Sequence, residues 1–207
     1  MGFAMVEATK RCKTQHVVMS SVLHSIIDII QHRIKRDVEV ALIESGLNFT
    51  IIKPCDFLMT EHYLDPAIKT GTIPAYWTFD NGRRGSLIDI EDLVDAVVKV
   101  ITQGETHYWA SYELSGPDKL TIHDIAASLS RLIGNDAQPL KVDPEAWMGD
   151  TFDGTYDDTQ YQRGIVNSIG KWYSQYDFVG SPNILSWLLG RPATTFEQSI
   201  SRALSRT

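Results

Sequence analysis

Two serines and a histidine near the N-terminus are the first side chains whose types and spacing could do chemistry. Residues 16–20 form a short apolar run rich in β-branched residues, which predicts a buried strand, and Ser20, Ser21 and His24 lie at or just beyond its end. Open parallel α/β sheets bind ligands at the carboxyl ends of their strands, so these hydroxyls could donate to a substrate carbonyl while the imidazole moves a proton. The competing interpretation is that the serines only cap the strand end and that the histidine is an ordinary structural residue.

A second group of candidates follows the next predicted strand. Residues 49–52 are apolar, and Pro54 ends that strand. Since the side chains that come next lie at the same carboxyl edge, we expect them to line a ligand pocket in which Asp56 is the only formal charge. Two aromatic residues that follow Pro74 are expected to close over this pocket. These substrate-binding candidates are Cys55, Asp56, Phe57, Met59, Tyr76 and Trp77.

A predicted helix connects the two strands and positions both groups. Ile30, Ile34, Val38 and Leu42 recur at every fourth residue with charged residues between them, and Gly46 is expected to end the helix. A strand, a helix and a strand with short links predict a βαβ unit with parallel strands. A further helix over residues 3–11 is expected ahead of the first strand.

The remaining elements continue the α/β pattern. Short strands are expected at residues 87–88 and 112–114. Helix starts are predicted at Asp89 or Glu91, at Thr121 with Asp124, and at Thr194 with Glu197.

The C-terminal part of the chain is unusually aromatic. Residues 141–190 hold nine of the chain's 20 aromatic residues, a density typical either of an irregular packed cap or of an apolar ligand pocket. Trp147 and Trp172 are therefore further substrate-binding candidates. We expect residues 1–140 to form the α/β core and residues 141–207 an aromatic-rich cap within one compact unit.

Composition excludes several classes of protein. The 207 residues carry a net charge of −7, which argues against direct nucleic-acid binding. No apolar run approaches the roughly 18 residues needed to cross a bilayer, so we expect no membrane association. Two cysteines are too few for a disulfide framework, which predicts a cytoplasmic protein. Neither the histidines and cysteines nor the acidic cluster at residues 150–158 has metal-ligand spacing, and we expect no metal.

Several segments together resemble the NmrA-like branch of the atypical short-chain dehydrogenases/reductases. The resemblance begins with residues 16–24, where a strand ends in Ser-Ser, and continues through residues 31–35 with a helical lysine and residues 44–54, which end in Lys-Pro. Residues 85–92 and 112–116 and the end of the chain from Leu188 to Thr195 are similar to later parts of that family. The resemblance covers nearly the whole chain. It implies a truncated Rossmann-like parallel sheet with helices, followed by a helical, aromatic-rich portion that binds substrate, and it implies that Asp92 caps a helix.

The glycine-rich loop of that family has no counterpart in this sequence. After Gly2 the first glycine is Gly46, so no loop that could cradle a pyrophosphate is expected before the βαβ unit. We therefore expect no cofactor and no cofactor-binding residues, with NAD(P)H bound only if a missing N-terminal half is supplied.

The resemblance singles out Lys35. It matches the lysine that contacts the nicotinamide ribose in complete members, while Gln31 occupies the position of their tyrosine and argues against tyrosine-based acid catalysis. Without a ribose to bind, partial burial would lower the pKa of Lys35 and let it act as an acid or a base. Its helical neighbours Arg33 and Arg36 are equally typical of a solvated lysine. We expect Lys35, Ser21 and His24 to be the catalytic residues, with His32 as a weaker alternative.

These observations favour a cofactor-independent enzyme that performs isomerase-, cyclase- or lyase-type acid–base chemistry on an apolar small molecule, in keeping with secondary metabolism. One alternative is an NAD(P)H-dependent reductase present as a truncated chain. The other is a non-catalytic NmrA-like redox-sensing or regulatory binding protein. The strand at residues 16–20 would lack a neighbour on one side, so we expect a homodimer that covers this edge or an N-terminal helix folded over it.

Overall fold

Parallel strands form the framework of the protein. The computed structural model describes residues 2–75, 82–142 and 160–206. One sheet has the order β1–β2–β6, and two further pairs of strands, β3 with β5 and β4 with β7, are also parallel. The strands are β1 (Val17–Ser20), β2 (Phe49–Pro54), β3 (Asp56–Leu58), β4 (Thr72–Ala75), β5 (Leu87–Asp89), β6 (Ala110–Leu114) and β7 (Gln138–Lys141). The predicted α/β fold with a parallel sheet is therefore confirmed.

Helices connect these strands. The described residues include α1 (Gly2–Arg11), α2 (Ile30–Ile43), α3 (Thr60–Thr70), α4 (Ile90–Gln103), α5 (Ile122–Ile133), α6 (Gln160–Tyr173), α7 (Asn183–Leu189) and α8 (Phe196–Leu204), together with a 3₁₀ turn at Gly104–His107. Strand β1, helix α2 and strand β2 form the predicted βαβ unit, in which Val17 lies beside Phe49 in parallel register. No helix of the described segments combines the length and the apolarity that a bilayer crossing requires.

Local capping signals set the starts of several helices. Thr121 Oγ1 accepts from the Asp124 backbone N–H at 3.1 Å, and the Thr121 N–H donates to the Asp124 carboxylate at 2.9 Å, so α5 begins with the predicted capping box. Asp89 caps α4, as one of the two predicted starts. Helix α8 begins one residue later than predicted, because Thr195 and Gln198 form its capping box.

Helix α2 buries only part of the apolar stripe that hydrophobic periodicity predicts, since Leu42 is 1% exposed and Val38 packs with it in a core cluster. Ile34 belongs to the predicted apolar stripe but is 43% exposed, whereas Glu39 and His32 are 5% and 3% exposed. The helix ends at Ile43 rather than at Gly46. Its polar face therefore packs toward the segment that follows β1, where Glu39 finds hydrogen-bond partners.

Asp92 anchors the C-terminal segment instead of capping α4. It is fully buried, and its carboxylate accepts from Arg191 Nη2 at 2.7 Å and from the Thr194 N–H at 2.6 Å. The prediction that Asp92 caps a helix is wrong, because Asp89 already bonds the first free N–H groups of α4. Asp92 instead holds the connection between α7 and α8 against α4.

The apolar cores contain residues from both the predicted α/β core and the predicted cap. One cluster brings Ile52 and Leu114 of the sheet together with Phe178 and Leu185. Another unites residues of α3, α5 and α8, including Phe196. The described cores thus contain residues from both sides of residue 140, and the division into a core and a cap stays a prediction.

Strand β1 is the edge of its sheet within the described part of the chain. It pairs with β2 and with no other described strand. Val6 of α1 packs in one core cluster with Val17 and Met19 of β1 and Leu42 of α2. The homodimer that would cover this edge remains a prediction.

Candidate functional site

Two adjoining cavities lie at the carboxyl ends of β1 and β2. The first, which we call the strand-end cavity, has a volume of about 380 Å³ and includes Ser20, Ser21 and Lys35 in its wall. The second, which we call the apolar cavity, has a volume of about 500 Å³. Four residues line both cavities and so form a common wall: Asp56, Phe57, Ile169 and Tyr173. Their position agrees with the general rule for ligands in open α/β sheets.

Lys35 and Gln31 extend from α2 into the strand-end cavity. The Lys35 ammonium donates to the Ser20 carbonyl oxygen at 3.1 Å, and both residues remain exposed. The amide nitrogen and oxygen of Gln31 are buried, and neither has a hydrogen-bond partner among the described residues. A buried amide without partners loses its hydration without compensation, so this side chain is suited to bind a polar ligand group.

The hydroxyl of Ser21 is engaged in a buried ionic network. Ser21 donates to Glu39 Oε1 in a very short hydrogen bond, and Ser25 donates to Glu39 Oε2 at 3.2 Å. The Lys53 ammonium lies 2.8 Å from the same Oε2 and donates to the Ser25 hydroxyl at 3.1 Å. Ser21 therefore holds the segment after β1 against α2, and its catalytic role stays a prediction.

One residue of β2 indicates this network in the sequence itself. Lys53 is a cation within an otherwise apolar strand, and a buried cation requires a carboxylate nearby. Glu39 satisfies this requirement from α2.

His24 is placed outside the walls of both cavities. Its Nε2 lies 2.9 Å from the Val179 carbonyl oxygen, its Nδ1 lies 3.5 Å from Glu113, and its backbone has a φ of 53°. His32 does line the strand-end cavity, where its Nδ1 donates to the His24 carbonyl oxygen at 3.0 Å. Burial lowers the pKa of His32, so it is neutral near pH 7. The structure therefore brings together Ser20, Ser21 and Lys35 but not His24.

Asp56 and Tyr173 form a polar pair in the common wall. Tyr173 Oη lies 3.5 Å from Asp56 Oδ1, at the long end of the hydrogen-bonding range. The protein atoms around the Asp56 carboxyl desolvate it and raise its pKa to about 6, while the hydrogen bond from Tyr173 opposes this rise. The Asp56 residue as a whole nevertheless remains exposed to solvent. Burial, together with the charge of Asp56, raises the pKa of Tyr173 well above 10.

Cys55 lies beside this pair but is a thiol at neutral pH. Burial raises its pKa to about 11, which excludes a reactive thiolate under ordinary conditions. Cys55 lines the strand-end cavity, and its predicted role in ligand binding stays a prediction.

The apolar cavity takes its walls from elements far apart in the sequence. Phe57 and Met59 lie in it, and Trp172 packs behind it, with its ring 5.5 Å from Tyr173 and 6.0 Å from Phe178. Sequence reasoning missed the contributions of α3, α5 and the segment around β5. The missed lining residues include His62, Tyr63, Leu87, Leu120, Ile122 and Ile125. Tyr76, Trp77 and Trp147 lie outside the described residues.

Candidate metal ligands lie apart from one another in the part of the chain that the structure describes. Within 2–75, 82–142 and 160–206, no three histidine, cysteine or acidic side chains come together as a ligand set. The acidic cluster at residues 150–158 lies outside the described residues.

The parallel strands and their helices define an α/β fold that resembles a truncated Rossmann fold, with two cavities at the carboxyl ends of the strands. Neither protein-family models nor curated proteins match the sequence. Solved structures do share its fold. An NADPH-dependent quinone oxidoreductase from Escherichia coli, solved with NADPH, has a TM-score of 0.77 at 19% identity, over 98% of this chain and 70% of that one.

Two more solved structures show the same likeness. The triphenylmethane reductase of a Citrobacter species, solved with NADP(H), has a TM-score of 0.76 at 16% identity over 98% of this chain and 70% of its own. NmrA, a negative transcriptional regulator solved with NADP, has a TM-score of 0.72 at 17% identity over 99% of this chain and 69% of its own. The resemblance to NmrA-like atypical short-chain dehydrogenases/reductases is thus confirmed for the fold.

These structures correct the expectation about cofactors. We expected no cofactor, whereas the three neighbours of the same fold hold NADPH, NADP(H) and NADP. The inference from the missing glycine-rich loop was wrong because it considered only the pyrophosphate site. Open α/β sheets also bind ligands outside the carboxyl ends of their strands, away from the glycine-rich loop.

Proposed function

We propose that this chain contributes the nicotinamide-proximal and substrate-binding part of an NAD(P)H-dependent reductase for an apolar, aromatic acceptor. The observation that carries the proposal is the pair of adjoining cavities with a common wall. One of them presents Lys35, Ser20 and the unpartnered amide of Gln31, and the other is apolar. Reductases of the same fold support the redox class over an isomerase or a cyclase.

The residues of the strand-end cavity suit a nicotinamide riboside. That group presents a carboxamide and two ribose hydroxyls, which both donate and accept hydrogen bonds. The Nε2 of Gln31 can donate and its Oε1 can accept, and neither atom has a partner among the described residues. The Lys35 ammonium, which donates to the Ser20 carbonyl oxygen, can also donate to a ligand hydroxyl. We assign Gln31, Lys35 and Ser20 to hold this group. When bound, the reduced nicotinamide ring supplies a hydride.

The apolar cavity suits an uncharged aromatic acceptor. Its volume of about 500 Å³ lies in the range of sites for small organic ligands, and aromatic side chains such as Tyr63 and Phe178 line it. Arg84 also reaches this cavity, but its guanidinium is paired with Asp177 through contacts of 2.9 and 2.7 Å. Because that cation is already neutralised, we expect no preference for an anionic acceptor.

The first test measures binding rather than turnover. Reduced nicotinamide mononucleotide and NADPH are titrated calorimetrically into the purified chain and into Gln31→Leu and Lys35→Ala. We expect each substitution to weaken binding about tenfold, equivalent to about 1.4 kcal/mol. Lys69→Ala is the matched control, because Lys69 is an exposed lysine that pairs with Asp65 on α3.

Turnover is then followed through the absorbance of the reduced nicotinamide, with 1,4-naphthoquinone as the acceptor. Absence of binding by the parent chain at millimolar concentration of both probes would refute the proposal. So would Gln31→Leu and Lys35→Ala variants that bind both probes as tightly as the parent.

A regulator without turnover is the second candidate function. It is supported by the likeness to NmrA, the negative transcriptional regulator with a TM-score of 0.72. This candidate predicts that NADPH binds as strongly as in the reductase but is not oxidised by naphthoquinone.

A further inference from the structure

We infer that Asp56 is a catalytic residue that donates a proton to the oxygen of the reduced acceptor, and that Tyr173 positions its carboxyl group. This inference rests on the proposed reductase function. It assigns a role to the one carboxyl group that the two cavities share among the residues that the structure describes.

Asp56 and Tyr173 lie where the two cavities adjoin. The common wall consists of two apolar residues and two residues with exchangeable protons, Asp56 and Tyr173. Asp56 opens β3 directly after β2, and Tyr173 is the last residue of α6. A ligand in the strand-end cavity and a ligand in the apolar cavity would therefore meet at this pair. A proton donor must lie within hydrogen-bonding reach of the acceptor oxygen, while the hydride source must approach the acceptor carbon. Asp56 lines both cavities and so borders the place where these two requirements coincide.

The Asp56 carboxyl also has a suitable protonation equilibrium. With a pKa of about 6, the Asp56 carboxyl exchanges its proton close to neutral pH. Tyr173 and Cys55 have pKa values raised by burial, to well above 10 and to about 11, so both keep their protons. Tyr173 can then serve as a lasting donor to Asp56, which fixes the carboxyl orientation.

Other charged and titratable groups surround the two cavities, and each must be considered. Burial lowers the pKa of His32, which removes it as a donor near pH 7, and Arg84 is paired with Asp177. Lys35 lines the strand-end cavity but not the apolar cavity. His62 on α3 remains as the competing proton donor in the apolar cavity. The charged and titratable residues that line the two cavities besides Asp56 are, among the described residues, His32 and Lys35 of α2, Cys55 after β2, His62 and Tyr63 of α3, Arg84 before β5, Tyr173 at the end of α6, and Tyr176 after it.

The step balances in electrons and protons. A bound reduced nicotinamide would supply a hydride, and with it two electrons, to the carbonyl carbon of the acceptor, and would itself be oxidised. The acceptor oxygen then takes the proton of the Asp56 carboxyl, and an O–H bond forms as the carboxyl O–H bond breaks. Asp56 is left as a carboxylate and regains a proton from water, because the residue is exposed to solvent.

The decisive measurement uses the free protein and no turnover. Carbon-13 labelling of aspartate side chains lets the Asp56 carboxyl be titrated by NMR, with Asp56→Asn to assign its signal. We expect a midpoint near pH 6. Tyr173→Phe should move the midpoint upward, because it removes the hydrogen bond that stabilises the carboxylate. A midpoint near 4, or no shift in Tyr173→Phe, overturns the assignment.

Turnover supplies the second readout. Because the acid form is required, kcat/KM for naphthoquinone reduction should fall as the pH rises through about 6. Asp56→Asn should lose at least about tenfold in kcat/KM and the pH dependence with it. Tyr173→Phe should move the pH midpoint upward with little change in KM. Loss of the pH dependence in His62→Gln but not in Asp56→Asn would assign the proton to His62 and overturn the assignment to Asp56. If Asp56→Asn oxidises NADPH with the parental rate and profile, the assignment falls while the reductase function stands; if the parent binds neither cofactor probe, both fall.

Discussion

The buried network around Glu39 allows a quantitative test of the structure. Lys53→Met removes the only cation that the described residues place on the Glu39 carboxylate, with a chain of similar length that cannot form a charge pair. Glu39 is 5% exposed and lies on the face of α2 that packs toward the segment after β1. The two hydrogen bonds from Ser21 and Ser25 would remain.

The expected loss follows from the cost of leaving a buried charge unpaired. Removal of one partner from a buried ion pair destabilises proteins by about 3–5 kcal/mol. We expect the lower end, about 3 kcal/mol, because Ser21 and Ser25 still donate to the carboxylate and part of Lys53 already reaches solvent. The double variant Glu39→Leu/Lys53→Met should recover most of this loss, since an apolar pair removes both charges.

The assay is urea unfolding with linear extrapolation at neutral pH, applied to the parent, both single variants and the double variant. Lys69→Met is the control, because its exposed pairing with Asp65 at 2.7 Å should contribute about 0.5 kcal/mol or less. A loss below about 1 kcal/mol in Lys53→Met with an unchanged m value would refute the reasoning. A double variant as unstable as Lys53→Met would do the same.

Three further predictions concern stability. The difference between 3.8 and about 6 for the pKa of Asp56 corresponds to about 3 kcal/mol, which we halve to about 1.5 kcal/mol because the residue keeps access to solvent. Since the native state holds this proton more tightly, stability should fall as the pH rises from about 4 to about 6; Asp56→Asn should therefore be the more stable protein at pH 8 but not at pH 4, as urea unfolding at both values would reveal. Asp92→Asn weakens the buried contact with Arg191 and should cost about 2 kcal/mol, and a thermal midpoint equal to that of the parent would contradict the anchoring role. Gly116→Ala places a Cβ 1.9 Å from the Leu87 carbonyl oxygen and should cost about 2 kcal/mol or more by calorimetry, whereas an unchanged stability would show that these two segments do not approach so closely.

Elements with signals confined to a few neighbouring residues could be predicted from the sequence. The capping box of Thr121 and Asp124 and the left-handed Gly134, with a φ of 70°, define both ends of α5. The run at Phe49–Pro54 predicted β2, and its position after a helix predicted the parallel pairing with β1. Each of these signals depends on the backbone geometry of residues close in sequence, so no distant contact is needed to interpret it.

The candidate site could be predicted only in part. Ser20 and Lys35 were placed at the carboxyl edge of the sheet by position in the sequence and by resemblance, and both line the strand-end cavity. Nothing in the sequence linked Asp56 to Tyr173, which are 117 residues apart, or indicated that these two residues separate two cavities.

The sequence by itself thus determined the first βαβ unit and the two ends of α5, but it did not predict β3, α3, β4 or β7. Only the tertiary structure decided which face of α2 is buried, because the burial of Glu39 depends on Lys53 and Ser21 being brought to it from other elements. The same holds for the protonation of Asp56. Desolvation and charge pairing depend on which groups surround a side chain in space, and periodicity along one helix or strand contains no information about those groups.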